Sequence, residues 1–377
     1  MGESPNMRLF HQLVLIREQH PLTARFWRSA SPFWRTDKAW GLAVFLVAIV
    51  LVQLLVQVLL NLWNRNFFNA LERKDGHALW LQAQLFVPLA AASILLAAAS
   101  VWGRMTAQRN WREVTTRHVI EKWLEHDRFR HLNHHLVKGS ENPEYRIVVD
   151  IRVATDAPID LSLAFFSSII TSITFFTVLW SIGGSITIEP FGVSLTIPGY
   201  LVFGVIVYSS VVSALMIFFG HHLTGVIERM NQSEAEFRAA ADAFRAGNDN
   251  AEAKSGDAEM RQTLQLKLQA TLLWWREFLW QLVRTTFVSH GNFLFAPVVA
   301  WFLCAPKYLT GAMTLGELTQ AAAAFVVVQG AFNWLVDNYQ RLADWRSSVH
   351  RVATLLLALD ELEAKERGNG NRRSAAS

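Results

Sequence analysis

Six stretches of this chain run for about 20 residues with almost no charge: 39–62, 78–103, 161–182, 200–219, 285–305 and 318–336. Each has the length and polarity of a helix crossing a hydrocarbon core about 30 Å thick. The pattern changes between them. Residues 111–129 and 260–282 carry apolar positions among charges with no Gly or Pro, so these long connections read as helices that continue beyond the second span and lead into the fifth. Breaks around Gly139 to Pro143 and in GNDNAEAKSG (247–256) mark the turns of two helical hairpins. Residues 181–198 alternate Ile and Thr between glycines and prolines, which predicts a small β-like cap.

Charge gives the arrangement a direction. Only four of the chain's 35 Lys and Arg lie after the first, third and fifth spans; the other 31 lie before the first, in the two long connections or after the sixth. Positive residues stay on the cytoplasmic side, so both termini and both hairpins are expected there. The predicted architecture is an all-α membrane protein with a cytoplasmic N-terminal segment (1–38), a six-span domain (39–362) and a disordered tail (363–377). The first apolar run lacks a small-residue cleavage signature and reads as a retained span.

A composition of 52% hydrophobic residues with 15 Trp and a mean hydropathy of +0.21 suits a chain whose solvent is lipid. The net charge of +4 is spread over several segments with no nucleic-acid motif, so no nucleic-acid partner is expected. A single cysteine, Cys304, excludes an intrachain disulfide.

Three segments resemble a known family. Met313 to Leu356 contains Gly316, Leu318, Asn338-Tyr339, Leu342-Ala343-Asp344-Trp345-Arg346 and Arg351; the first hairpin carries Asn142-Pro143-Glu144-Tyr145-Arg146-Ile147 with Asp150; the second carries Glu236-Phe237-Arg238 and Asn250-Ala251-Glu252. These resemble the exporter-type ABC transmembrane domains of the SbmA/BacA peptide-uptake proteins, their ATPase-fused bacterial relatives and the peroxisomal fatty-acyl half-transporters. The resemblance implies a six-span domain with long cytoplasmic helical hairpins in a bacterial inner membrane. It also implies a homodimer enclosing a path for a bulky solute, such as an antimicrobial-type peptide or a cobalamin-like compound. Asn142, Pro143, Arg146, Asp150, Glu236, Arg238, Tyr339, Trp345 and Arg346 become coupling candidates. No G-x-x-x-x-G-K-[ST] loop occurs, and 15 residues follow Leu362. No cofactor is therefore expected in this chain, and ATP enters only through a separate ATPase subunit. The expectation is a transporter driven by a proton gradient, with a permease subunit of an ATP-driven system as the alternative.

Residue chemistry supplies further candidates. Gln53, Gln57 and Asn61 recur every four residues on the first span, and Gln320, Gln329 and Asn333 place amides on the sixth. Lipid cannot satisfy amides, so they read equally as helix-packing residues or as the lining of a hydrated pathway. Glu317, Glu189 and His290 are candidates for proton coupling, with an ordinary interfacial role as the simpler reading of each. Arg146 and Asp150 share a helical face as an i,i+4 pair. His131, His134 and His135 match one box of membrane di-iron oxidases, but such enzymes need several boxes and only His221-His222 adds another pair. A solvated histidine cluster is the preferred reading, and no metal site is expected.

Overall fold

The computed structural model describes residues 24–132, 142–188, 195–248 and 257–374. Its main helices are α1 (Asp37–Glu72), α2 (Gly76–Leu124), α3 (Ile151–Gly183), α4 (Tyr200–Gly220), α5 (Leu223–Asn248), α6 (Asp257–Leu309), α7 (Leu315–Phe332) and α8 (Trp334–Ser374). Among the described residues, six helical stretches are long and apolar enough to cross a membrane, and they contain the six expected spans. At 1.5 Å per residue, the 49 residues of α2 and 53 of α6 extend about 70–80 Å. Both helices therefore project far beyond the hydrocarbon layer, as the uninterrupted connecting sequences require. Pro88, Pro158, Pro297 and Pro306 all lie inside helices, a placement that membrane helices tolerate where neighbours satisfy the freed carbonyl.

The cap is an antiparallel pair, β1 (Ser185–Ile188) and β2 (Leu195–Pro198), in the register Ser185↔Pro198 to Ile188↔Leu195. Gly199 closes it with φ +62°, and a Cβ there would lie 2.3 Å from the Trp180 ring. Backbone conformation and close approach both demand glycine at this position.

The chain divides into two compact units, one comprising Met1–Trp63, Asp75–Ile170 and Asp337–Ser377, the other Asn64–Lys74 and Thr171–Val336. The first is centred on Trp111, which is 1% exposed. Its ring lies 6.0, 6.3 and 5.3 Å from those of Trp27, Phe33 and Trp34, and its Nε1 donates to the Ala30 carbonyl at 3.0 Å. Phe26, Ala30 and Phe33 are buried in the same core as Ile151, Val352 and Leu355. From residue 24 the N-terminal segment packs into this unit, because its aromatic residues need cover.

The expected disordered tail is helical through Ser374. Asp360, Glu363 and Glu366 recur every three residues on α8 and meet cations from other parts of the unit. Arg25 bonds Asp360 at 2.8 Å, Lys122 bridges Asp360 and Glu363, and Arg128, 2% exposed at its side chain, bonds Glu366 at 2.7 Å. This network gives charged residues a reason to continue the helix.

In the second unit α5 and α6 form the second hairpin. Ser233 and Thr271 share a buried hydroxyl hydrogen bond of 3.0 Å, Lys267 bonds Glu236 at 2.7 Å, and Trp275 Nε1 donates to Glu234 at 3.0 Å. A non-helical step at His221 and His222 separates α4 from this arm.

Candidate functional site

In the first unit, α3 and α8 are joined by a ladder of polar contacts. At one end the Asp150 carboxylate, 1% exposed, accepts from Arg351 Nε at 2.9 Å and Nη2 at 2.6 Å, and from Ser348 Oγ at 3.1 Å. Midway, Trp345 Nε1 donates to the Ala154 carbonyl at 3.3 Å. At the other end Asp160 accepts from Arg341 at 2.7 Å, Gln108 at 2.7 Å and Arg104 at 3.3 Å. Numbers rise along α3 as they fall along α8, so the helices run antiparallel here. Removing a carboxylate from water costs several kcal/mol. A bidentate guanidinium and a hydroxyl compensate that cost at Asp150, whereas the more exposed Asp160 needs less help.

The expected pairing of Asp150 with Arg146 gives way to this arrangement. The cation on Asp150 is Arg351, and Arg146 is buried with its Nη1 toward the Arg351 carbonyl at 3.4 Å. Residues 146–150 form a π-helical turn preceded by buried Pro143 and by Asn142 at φ 53°. This brings Asn142, Pro143, Arg146 and Asp150 to one end of the ladder. Tyr339 and Arg346 instead line an exposed groove along α8 with Leu342 and His350. Asp160, Arg104 and Gln108 were not singled out in the sequence; a lone carboxylate abutting the third apolar run was the available signal.

Glu236 is held by Lys267 and by Gln232, and Arg238 is exposed on α5. Asn250 to Glu252 lie outside the described residues, as do Glu189, His134 and His135.

Glu317 belongs to a clasp in the second unit. Its carboxylate accepts from Arg65 at 2.8 Å and from the Thr314 backbone at 3.0 Å, while Thr314 Oγ1 accepts from the Glu317 backbone at 3.2 Å. That reciprocal pair is a capping box, Thr314-x-x-Glu317. The end of α1 supplies two more acceptors to the α7 N-terminus: Asn69 Oδ1 for Gly316 at 2.9 Å and Glu72 Oε2 for Leu315 at 3.1 Å. A Cβ on Gly316 would lie 2.1 Å from the Arg65 carbonyl oxygen, so glycine is what permits this approach.

Of the pathway candidates, Asn61, Gln320 and Gln329 are buried, whereas Gln53 and Gln57 are half-buried. Asn333 occupies the step between α7 and α8. Gln329 Nε2 and Ser209 Oγ are buried with no hydrogen-bond partner among the described residues. His290 is exposed on α6 and stacks on Phe293 at 6.0 Å. Its neighbour Asn292 accepts from the Tyr208 hydroxyl at 3.1 Å.

Comparison with known proteins concerns the chain as a whole. Residues 32–309 match the family described as ABC transporter transmembrane region 2. The chain is 26% identical to the inner membrane ABC transporter ATP-binding protein YddA of Escherichia coli, over 88% of this chain and 60% of that protein. It is 23% identical to the chloroplastic ABC transporter D family member 2 of Arabidopsis thaliana, over 89% of this chain and 46% of that protein. It thus spans about half to three fifths of the length of these two relatives.

Proposed function

Because the chain belongs to the ABC transporter transmembrane region 2 family, we propose that it forms the solute pathway of an ATP-driven transporter, paired with a second copy and powered by an ATPase domain outside these 377 residues. It is a membrane transporter of the ABC type. The proposed setting is a bacterial inner membrane with both termini cytoplasmic, and the proposed solute is bulky and hydrophilic or amphipathic, a cationic peptide or a cobalamin-like compound. The ladder from Asp150–Arg351 to Asp160–Arg341 supports this reading. A force applied at the first hairpin reaches α8, which continues from the sixth span, through two ion pairs and an indole hydrogen bond. Buried amides such as Gln329, which lipid cannot satisfy, suit a hydrated path. The relatives' names, each an ABC transporter and one of them an ATP-binding protein, point to the same energy source.

The Arg65–Glu317 ion pair favours a second reading. Loss of the Glu317 charge, on a side chain 27% exposed, would break the ion pair with Arg65 while leaving the capping box, as a proton-driven cycle requires. Purified chain in liposomes, loaded with a labelled cationic peptide, separates the two. Transport driven by an imposed pH gradient without nucleotide would establish the proton reading. Transport confined to membranes supplied with the ATPase and ATP is the result expected from the first.

A further inference from the structure

In the second unit α4 and α6 enclose an open groove of about 620 Å³. Its walls are apolar, with Val211, Leu215, Phe219, Phe287, Phe295 and Val299 among them. The polar pair within it is bonded internally, the Tyr208 hydroxyl donating to Asn292 Oδ1 at 3.1 Å. The groove therefore offers aliphatic and aromatic surface along its length and asks little of an occupant in hydrogen bonds.

One lining residue breaks this pattern. Arg284 is exposed at one end of the groove, with no acidic side chain within ion-pairing distance among the described residues. It immediately precedes the fifth apolar run, which begins at Thr285. A guanidinium at that level stands where lipid phosphates lie, and basic pockets between spans bind anionic headgroups. From Arg284 to Val299 α6 rises about 22 Å at 1.5 Å per residue. One leaflet of a hydrocarbon core about 30 Å thick is about 15 Å deep, so the groove is long enough to follow an acyl chain through a leaflet. Gly291, on its wall, has nothing within 4 Å of where a Cβ would sit, which leaves the middle of the groove open.

We propose that this groove binds an anionic phospholipid, with one acyl chain along α6 and the phosphate on Arg284. Charge selects the occupant: a second copy of the chain would have to bring a carboxylate to the membrane boundary, whereas an anionic lipid carries its charge there already. The site does not depend on the energy source or on which face is cytoplasmic.

Native mass spectrometry of the full chain, released from detergent with phosphatidylglycerol or phosphatidylcholine of matched acyl chains, tests this. Wild type should retain phosphatidylglycerol about fivefold better, the ratio that one basic residue near a membrane surface supplies. Arg284→Gln should abolish the preference while leaving phosphatidylcholine retention unchanged, and Arg284→Lys should keep most of it. Gly291→Phe, whose ring would fill the groove, should lower retention of both lipids while leaving the melting temperature close to wild type. Equal retention of the two lipids by wild type would overturn the proposal, as would an undiminished preference in Arg284→Gln. A dimer that carries no lipid would assign the groove to the second copy instead.

Discussion

Asp150 and Arg351, 201 positions apart, form a bidentate ion pair of 2.9 and 2.6 Å around a carboxylate that is 1% exposed. Neither helix explains its charged residue alone. Together they bind the π-helical entry of α3 to α8 at the point where Ser348 and the Arg351 carbonyl also converge.

Replacing Asp150 with Asn should destabilise the protein by about 1.5–3 kcal/mol, the range for a hydrogen bond to a charged group. Arg351→Ala leaves the buried Asp150 carboxylate without its cation and should cost more, about 3–5 kcal/mol, and the double variant should lose less than the sum. Thermal unfolding in detergent measures all three. Additive losses would show that the pair does not couple the helices.

Gly316 and Gly330 give opposite expectations within one helix. Gly316→Ala forces α1 and α7 apart, because its Cβ would meet the Arg65 carbonyl oxygen at 2.1 Å, and should cost about 1–3 kcal/mol. Gly330→Ala meets nothing within 4 Å and should stabilise by about 0.5–1 kcal/mol through helix propensity. The two melting shifts should have opposite signs.

Glu317→Gln separates the two energy sources. Glutamine can still complete the capping box with Thr314, so α7 should form normally while the charge facing Arg65 is lost. Transport driven by ATP should survive. Transport driven by a pH gradient should become insensitive to that gradient, and a gradient-driven rate unchanged in this variant would remove Glu317 from proton coupling.

Topology is testable on exposed positions. In a Cys304→Ser background, impermeant maleimide applied to intact cells should label Thr196→Cys in the β cap and spare Ala235→Cys on α5, and inverted vesicles should show the opposite; both positions are exposed. In the native chain Cys304, 0% exposed, should not react until the protein unfolds.

What the sequence determined by itself is the set of properties that depend on near neighbours and on the solvent. An apolar run such as 200–219 must become a helix because lipid offers no partner to its backbone, and the uninterrupted pattern of 260–282 predicts that α6 continues outside the bilayer. The cap, too, is local: the alternating Ile and Thr of β1 and β2 pair with each other across ten residues or so. Glu317 presents itself in the sequence as a titratable group, and its place in the Thr314-x-x-Glu317 cap came with the structure. Only the tertiary structure decided that Arg65 faces Glu317, that Arg351 rather than Arg146 binds the Asp150 carboxylate, and that Asp360, Glu363 and Glu366 keep α8 helical against Arg25, Lys122 and Arg128. These partners are separated by more than 200 positions, and a charged side chain carries no local mark of which opposite charge will reach it. That choice is made when helices pack and a carboxylate leaving water must take the cation that the packing brings within about 3 Å.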